Sequence, residues 1–182
     1  MVKPKKQNPT WSDIKARLSN FDHAGMMALV QDMYALNKEN KAFLHARFGI
    51  GTDVLGPYKE SISRWLWPDI VKNQNTSVSK ARKAIADYKK AIGRVEDLAE
   101  LMTYYCEQAV GFGTETFPDD VRYFDSLVRM YGQALRISVN LTPDQRADIL
   151  HRLEKVKKQS EIMGYGVGNE LAYLIADYLI DE

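Results

Sequence analysis

Apolar residues recur at helical spacing along almost the whole chain, and nowhere do they alternate with period 2 for long enough to build a strand. That property leaves an all-α fold. Ala81, Ala84, Ile85, Tyr88 and Ile92 form the cleanest stripe and predict a helix over 79–92, closed by Gly93. Met26, Leu29, Val30, Met33 and Leu36 form a second stripe, on a helix that Asp22 can cap. Further stripes run through Leu98, Met102, Tyr105, Cys106 and Ala109, then through Val121, Phe124, Val128, Tyr131 and Leu135. Two more follow, with Ile149, Leu153 and Val156 on one and Leu171, Leu174, Ile175 and Tyr178 on the other.

Between the stripes, residues with special backbone behaviour set the punctuation. Ser12 is the expected cap of the first helix, and 38–48 reads as a helix with Ala42, Phe43, Ala46 and Phe48 turned inward. Gly49 and Gly51 open a loop that Gly56 and Pro57 close. Pro68 ends the helix over 58–66 that carries Ile62, Trp65 and Leu66. Gly111, Phe112 and Gly113 are expected to break the helix that precedes them, and Pro118 to sit in the first turn of the next. Thr142, Pro143 and Gln145 make a capping box with proline at the first helical position. Gly164, Gly166 and Gly168 predict a tight turn before a helix capped by Asn169.

These elements amount to about eight helices with short connections, so consecutive helices are antiparallel neighbours. Two arrangements fit: helical hairpins stacked as a right-handed, HEAT-like α-solenoid, or a compact bundle. A basic arm over 1–10, expected to be disordered, precedes a single all-α domain over 11–182, with the polar stretch near 72–78 as a sub-boundary.

Composition narrows the functional classes. The net charge is only +1 over 182 residues, so no global field draws the chain to nucleic acid or membrane. A single cysteine, Cys106, excludes an intramolecular disulfide and a cysteine-rich zinc site and fits a cytoplasmic protein. No stretch approaches the ~18 apolar residues of a membrane-spanning helix, and the basic N-terminus lacks the apolar core of a secretory signal.

The strongest local charge feature is the helix over 80–94. Lys80, Arg82, Lys83, Lys89, Lys90 and Arg94 lie off its apolar stripe and could hold phosphates. The next helix carries Glu96, Asp97, Glu100 and Glu107, so pairing between the two helices explains the same charges without a ligand. No catalytic constellation emerges. His23, His45 and His151 are scattered, and Asp148 with His151 is a lone carboxylate and imidazole at metal-ligand spacing, so neither a metal site nor a cofactor is expected. Cys106 falls on an apolar stripe and reads as an inert core thiol. Trp67, beside Pro68, is not forced inward by the periodicity and is a candidate anchor for a partner. Phe112 and Phe117 are further candidates for self-association.

Several stretches resemble a family of small all-helical bacterial proteins that carries a domain of unknown function. They are Leu36-Asn37-Lys38-Glu39-Asn40-Lys41, the run from Lys83 to Lys90, Leu98-Ala99-Glu100-Leu101-Met102, and Phe124 to Ala134. The resemblance implies an all-α fold and a bacterial cytoplasmic setting, and no activity. The leading expectation is a non-catalytic protein-binding or scaffold module, acting through a protein partner or self-association. Binding of nucleic acid or a phosphate ligand by the helix over 80–94 is the first alternative, and an enzyme with an unrecognised site is the second.

Overall fold

Helix ends follow the caps that the backbone finds. The structure, a computed structural model, describes residues 8–180. Among them are nine α-helices and no strand: α1 (Trp11–Leu18), α2 (His23–Leu36), α3 (Lys38–Phe48), α4 (Gly56–Leu66), α5 (Val78–Ala91), α6 (Val95–Thr116), α7 (Val121–Ser138), α8 (Pro143–Ser160) and α9 (Val167–Ile180). A short 3-10 turn, Ile70–Lys72, follows α4. Apart from residues 8–10, the basic arm expected over 1–10 lies outside the described residues. No helix among the described residues is long and apolar enough to cross a membrane.

The chain forms two compact units that meet in sequence between Lys41 and Ala42, inside α3. The first holds α1, α2 and the opening of α3. Thr10, not Ser12, caps α1: its amide and hydroxyl both donate to Asp13, at 2.7 and 2.8 Å. Asp22 caps α2 as expected, accepting from the Gly25 amide at 2.7 Å. Asn40 Nδ2 donates to the Met33 carbonyl at 2.6 Å, tying the start of α3 back to α2. The α2 stripe is helical as its spacing requires, but no residue of α2 is buried, and Leu36 is 75% exposed. Met27 lies off the stripe and is also large and apolar, so α2 has more apolar circumference than two short helices can cover.

The second unit is a stack of hairpins. Its main contacts pair α4 with α5, α6 with α7 and α8 with α9, and also join each helix to the one two steps along. The helices therefore sort into two layers, α4–α6–α8 and α5–α7–α9, which is the solenoid-like alternative. The core between the layers is made by fully buried Ile62, Leu66, Tyr88, Leu101, Leu127, Leu153 and Leu171. Gly93 takes a positive φ of 73° just beyond α5, as expected of a residue following a helix end. Ala46 of α3 is buried, but Phe48, expected inward, is 69% exposed. The 73–77 stretch lies within this unit, where the Ser77 amide donates to the Trp65 carbonyl at 2.8 Å.

Glycine placement departs from expectation in α6. Gly111 and Gly113 do not break the helix, which runs on to Thr116. They let neighbours approach instead: a Cβ on Gly111 would lie 2.3 Å from Cζ3 of Trp67, and one on Gly113 would lie 2.4 Å from Cε of Met163. Glycine in a helix costs roughly 0.5–1 kcal/mol relative to alanine, and the packing gained here offsets that cost. Pro118 falls before α7, which opens at Val121 with Asp120 as its cap, accepting from the Arg122 amide at 3.0 Å. The capping box at Thr142 and Gln145 forms as its motif requires. Asn169 is not a cap, because α9 already begins at Val167.

Candidate anion-binding cleft

The α5 and α7 helices touch only lightly, and a cleft opens beside them. On α5, burial of Ala81, Ala84, Ile85 and Tyr88 fixes the rotation of the helix and leaves Arg82 exposed at the edge of that stripe. On α7, Phe124, Leu127 and Tyr131 point inward, which sends Arg122, Asp125 and Arg129, at i, i+3 and i+7, to one outer face. Together with Asp120 and the 76–79 turn, these residues line an open cavity of about 450 Å3. Its floor includes buried Ser126, which shares a 2.6 Å hydrogen bond with the hydroxyl of Tyr105. Burial is the main cause that pushes the Tyr105 phenol up to about 12.

The charges of the cleft are incompletely paired. Arg122 Nε lies 3.6 Å from Asp120, an exposed contact that contributes little. Among the described residues, Arg82 and Arg129 have no ion pair or side-chain hydrogen bond. The side chain of Ser77, the cap residue of α5, accepts from no backbone amide of the first turn; its hydroxyl pairs with that of Ser79 at 3.2 Å. Guanidiniums left free in this way can take the oxygens of a carboxylate or phosphate bidentately.

The basic residues singled out by sequence are dispersed. Lys80 Nζ sits 3.8 Å from the centroid of the Trp65 ring, whose other contact is the Arg64 guanidinium at 4.4 Å. Lys83 pairs with Asp87 one turn on. Lys89 and Lys90 are exposed, and Arg94 bonds Asp97 at 2.7 Å. Only Arg82 of the six lines the cleft, where it meets Arg122 and Arg129, which sequence reasoning did not select. Their i, i+7 spacing was the available signal, but it names a face of α7 without saying what the face looks onto. Trp67 is partly covered through its packing on Gly111, and 37% of it is exposed. Phe112 is buried and Phe117 is 60% exposed.

Of the acids of α6 singled out by sequence, Asp97 and Glu96 contact Arg94 as expected, at 2.7 and 3.8 Å, but the other two do not meet the basic residues of the 80–94 helix. Glu100 and Glu107 face α4 and α8, not the basic helix α5. Arg152 of α8 donates to Glu107 at 2.7 and 2.9 Å and also to Glu100, while Lys59 of α4 donates to Glu100 at 2.6 Å. Beside them Ser63 hydrogen-bonds the Tyr104 hydroxyl at 2.6 Å. This network crosses the α4–α6–α8 layer and holds its three helices together. Among the described residues no three histidine, cysteine, aspartate or glutamate side chains converge as metal ligands. Cys106 is fully buried, and burial pushes its thiol well above its ordinary value.

Comparison with protein-family models, with curated proteins and with solved structures finds no match to this chain.

Proposed function

We propose that this chain is a non-catalytic binding module that holds an anionic group of a protein partner in the cleft between α5 and α7. The observation that carries the reading is the convergence of Arg82 and Arg129, both without a carboxylate partner, on one open cavity that Arg122 also lines. Two-layer helical stacks present long faces suited to partner proteins, which supports a protein ligand. A single cysteine, which leaves no intramolecular disulfide, agrees with a reducing, cytoplasmic setting. A second reading, a phosphate-bearing ligand held along the 80–94 helix, draws support from exposed Lys89 and Lys90 and from Arg82, which it shares with the cleft, since Lys80, Lys83 and Arg94 are engaged within the fold.

The test uses a labelled acidic peptide without apolar residues, such as a glycine-spaced aspartate peptide, titrated at low salt. Binding should fall at least tenfold in Arg82→Ala/Arg129→Ala and remain in Lys89→Ala/Lys90→Ala. Equal binding by the cleft variant and the wild type would remove the cleft from consideration. Loss in the lysine variant alone would favour the second reading.

A further inference from the structure

The cleft does not stop at α7. Asp125 and Arg129 also line a second cavity, of about 350 Å3, beside α7 and the start of α9. Val121, Phe124 and Val128 from α7, Tyr165 from the turn before α9 and Val167 from α9 line one part of it, and Asp125, Arg129 and Glu170 the other. Val121, at the head of an inward stripe by its spacing, is 53% exposed here. Tyr165 is 57% exposed, with its ring packed on Phe124 at a centroid distance of 5.1 Å and its hydroxyl donated to Asp119. The aromatic wall is thus held from both ends while one face stays open.

We infer that the two cavities form one groove, which takes a peptide segment of a protein partner in which a single anionic group stands beside a bulky apolar side chain. The inference rests on the anion-binding reading of the first cavity and adds the second half of the recognition. The charge layout selects the occupant. Arg82, Arg122 and Asp120 line the first cavity alone, Asp125 and Arg129 line both, and Glu170 borders only the second, so the groove runs from a net positive end to a net negative one. An anionic group at the first end meets Arg82, Arg122 and Arg129 against Asp120 and Asp125, whereas a nucleic acid strand laid along the groove would carry further phosphates past Glu170 as well. Free small ligands are usually bound with about 70–90% of their surface covered. A groove walled by exposed Arg82, Val121, Arg129 and Tyr165 covers one side of an extended chain instead. The apolar wall contributes by removing the partner's side chain from water, at roughly 25 cal/mol per Å2.

Fluorescence polarisation with synthetic peptides tests this. One set carries aspartate or phosphoserine with leucine one, two or three residues on and lysine at the end. Control sets replace the leucine or the anionic residue by glycine. At the best spacing, the peptide with both features should bind at least tenfold tighter than either control. Val121→Ser should erase the gain due to leucine and spare the gain due to the anion. Arg82→Ala should do the reverse, and exposed Lys158→Ala on α8 should change neither. A preference for phosphoserine or for aspartate would identify the source of the anionic group, and either preference supports the groove. Anionic peptides that bind equally well with leucine or glycine would overturn the inference while leaving the anion-binding cleft in place. Failure of every anionic peptide to bind at low salt would overturn both.

Discussion

Replacing Arg152 should destabilise the helical stack by a measurable and separable amount. The guanidinium of Arg152 bonds both carboxylate oxygens of Glu107 and also Glu100, and the side chains of Arg152, Glu100 and Glu107 are only 20%, 24% and 32% exposed. Exposed ion pairs contribute ~0.2–1 kcal/mol, whereas removing one partner of a buried pair costs ~3–5 kcal/mol. A network at this intermediate depth puts the loss for Arg152→Met at about 2 kcal/mol, because methionine keeps the apolar stem but leaves Glu107 without its cation. For a chain of this size that lowers the melting midpoint by roughly 4–8 °C. Arg152→Ala, which also loses the packing of the stem, should fall further. Glu107→Gln in the Arg152→Met background should recover part of the loss. Thermal melts followed by circular dichroism at pH 7 read all three variants. A midpoint for Arg152→Met within about 1 °C of the wild type would show that the network is solvated surface pairing and would refute the argument.

The same network sets an acid limb of stability. Burial alone would raise the carboxyl of Glu100, but hydrogen bonds from Arg152 and Lys59 outweigh it and hold the group below its ordinary value of 4.5. A carboxyl lower in the folded than in the unfolded chain adds stability that is fully present above the unfolded value and is lost as pH falls through the folded one. Wild-type stability should therefore decline below about pH 4.5, and the decline should be shallower in Arg152→Met.

Two further substitutions probe the core. Gly111→Ala places a methyl 2.3 Å from the Trp67 ring. The gain of up to ~1 kcal/mol in helix propensity should be outweighed by an overpacking cost of ~1–3 kcal/mol, with a shift in tryptophan emission. A stabilised variant with unchanged emission would contradict the close packing of Trp67. Cys106, fully buried and with its thiol raised by burial, should resist a thiol reagent at pH 8 in the folded protein and react on unfolding. Rapid labelling under native conditions would show that the site opens.

Helix type and core faces were legible in sequence because burial imposes a 3.6-residue period that survives in the residue order. Tyr88, Leu101, Leu127 and Leu153 are fully buried, in helices whose apolar stripes the spacing identified. Helix ends were misplaced locally, with Thr10 and not Ser12 capping α1, whereas the misjudged packing and pairing depended on neighbours distant in sequence. Gly111 reads as a helix breaker until Trp67 is placed over it. Glu100 and Glu107 sit about one and three turns into a helix that follows a basic one, yet their cations come from 41 to 52 residues away. The cleft was only partly legible, since Arg82 was visible as one of six cations and Arg122 and Arg129 were not visible as its companions. Local periodicity says which way a side chain leaves its own helix, whereas a binding site is defined by the helix it meets.

Pairing state separates structural cations from candidate ligand-binding ones in this fold. Arg152 and Arg82 are the same residue type, each on the outside of one helical layer. The guanidinium of Arg152 is filled by two carboxylates of α6, so binding a further anion there would require breaking bonds that hold three helices together. Arg82 and Arg129 line one cavity beside the lightly packed α5 and α7, where Asp120 and Asp125 also stand but neither pairs with either arginine. An incoming anion in that cleft breaks no bond of Arg82 or Arg129. The two layers therefore differ: Lys59, Glu100, Glu107 and Arg152 of α4, α6 and α8 are spent on cohesion, whereas Arg82 of α5 and Arg129 of α7 stay available to a partner. On this logic, charge reversal should have opposite signatures on the two faces. Arg152→Glu should lower the melting midpoint, whereas Arg129→Glu should leave it nearly unchanged, or slightly raised if the loss of like-charge repulsion with Arg82 and Arg122 outweighs the new neighbour Asp125, and should abolish binding of acidic peptides. A large drop in stability for Arg129→Glu would mean that the cleft guanidiniums hold the fold, and the case for a free binding face would fail.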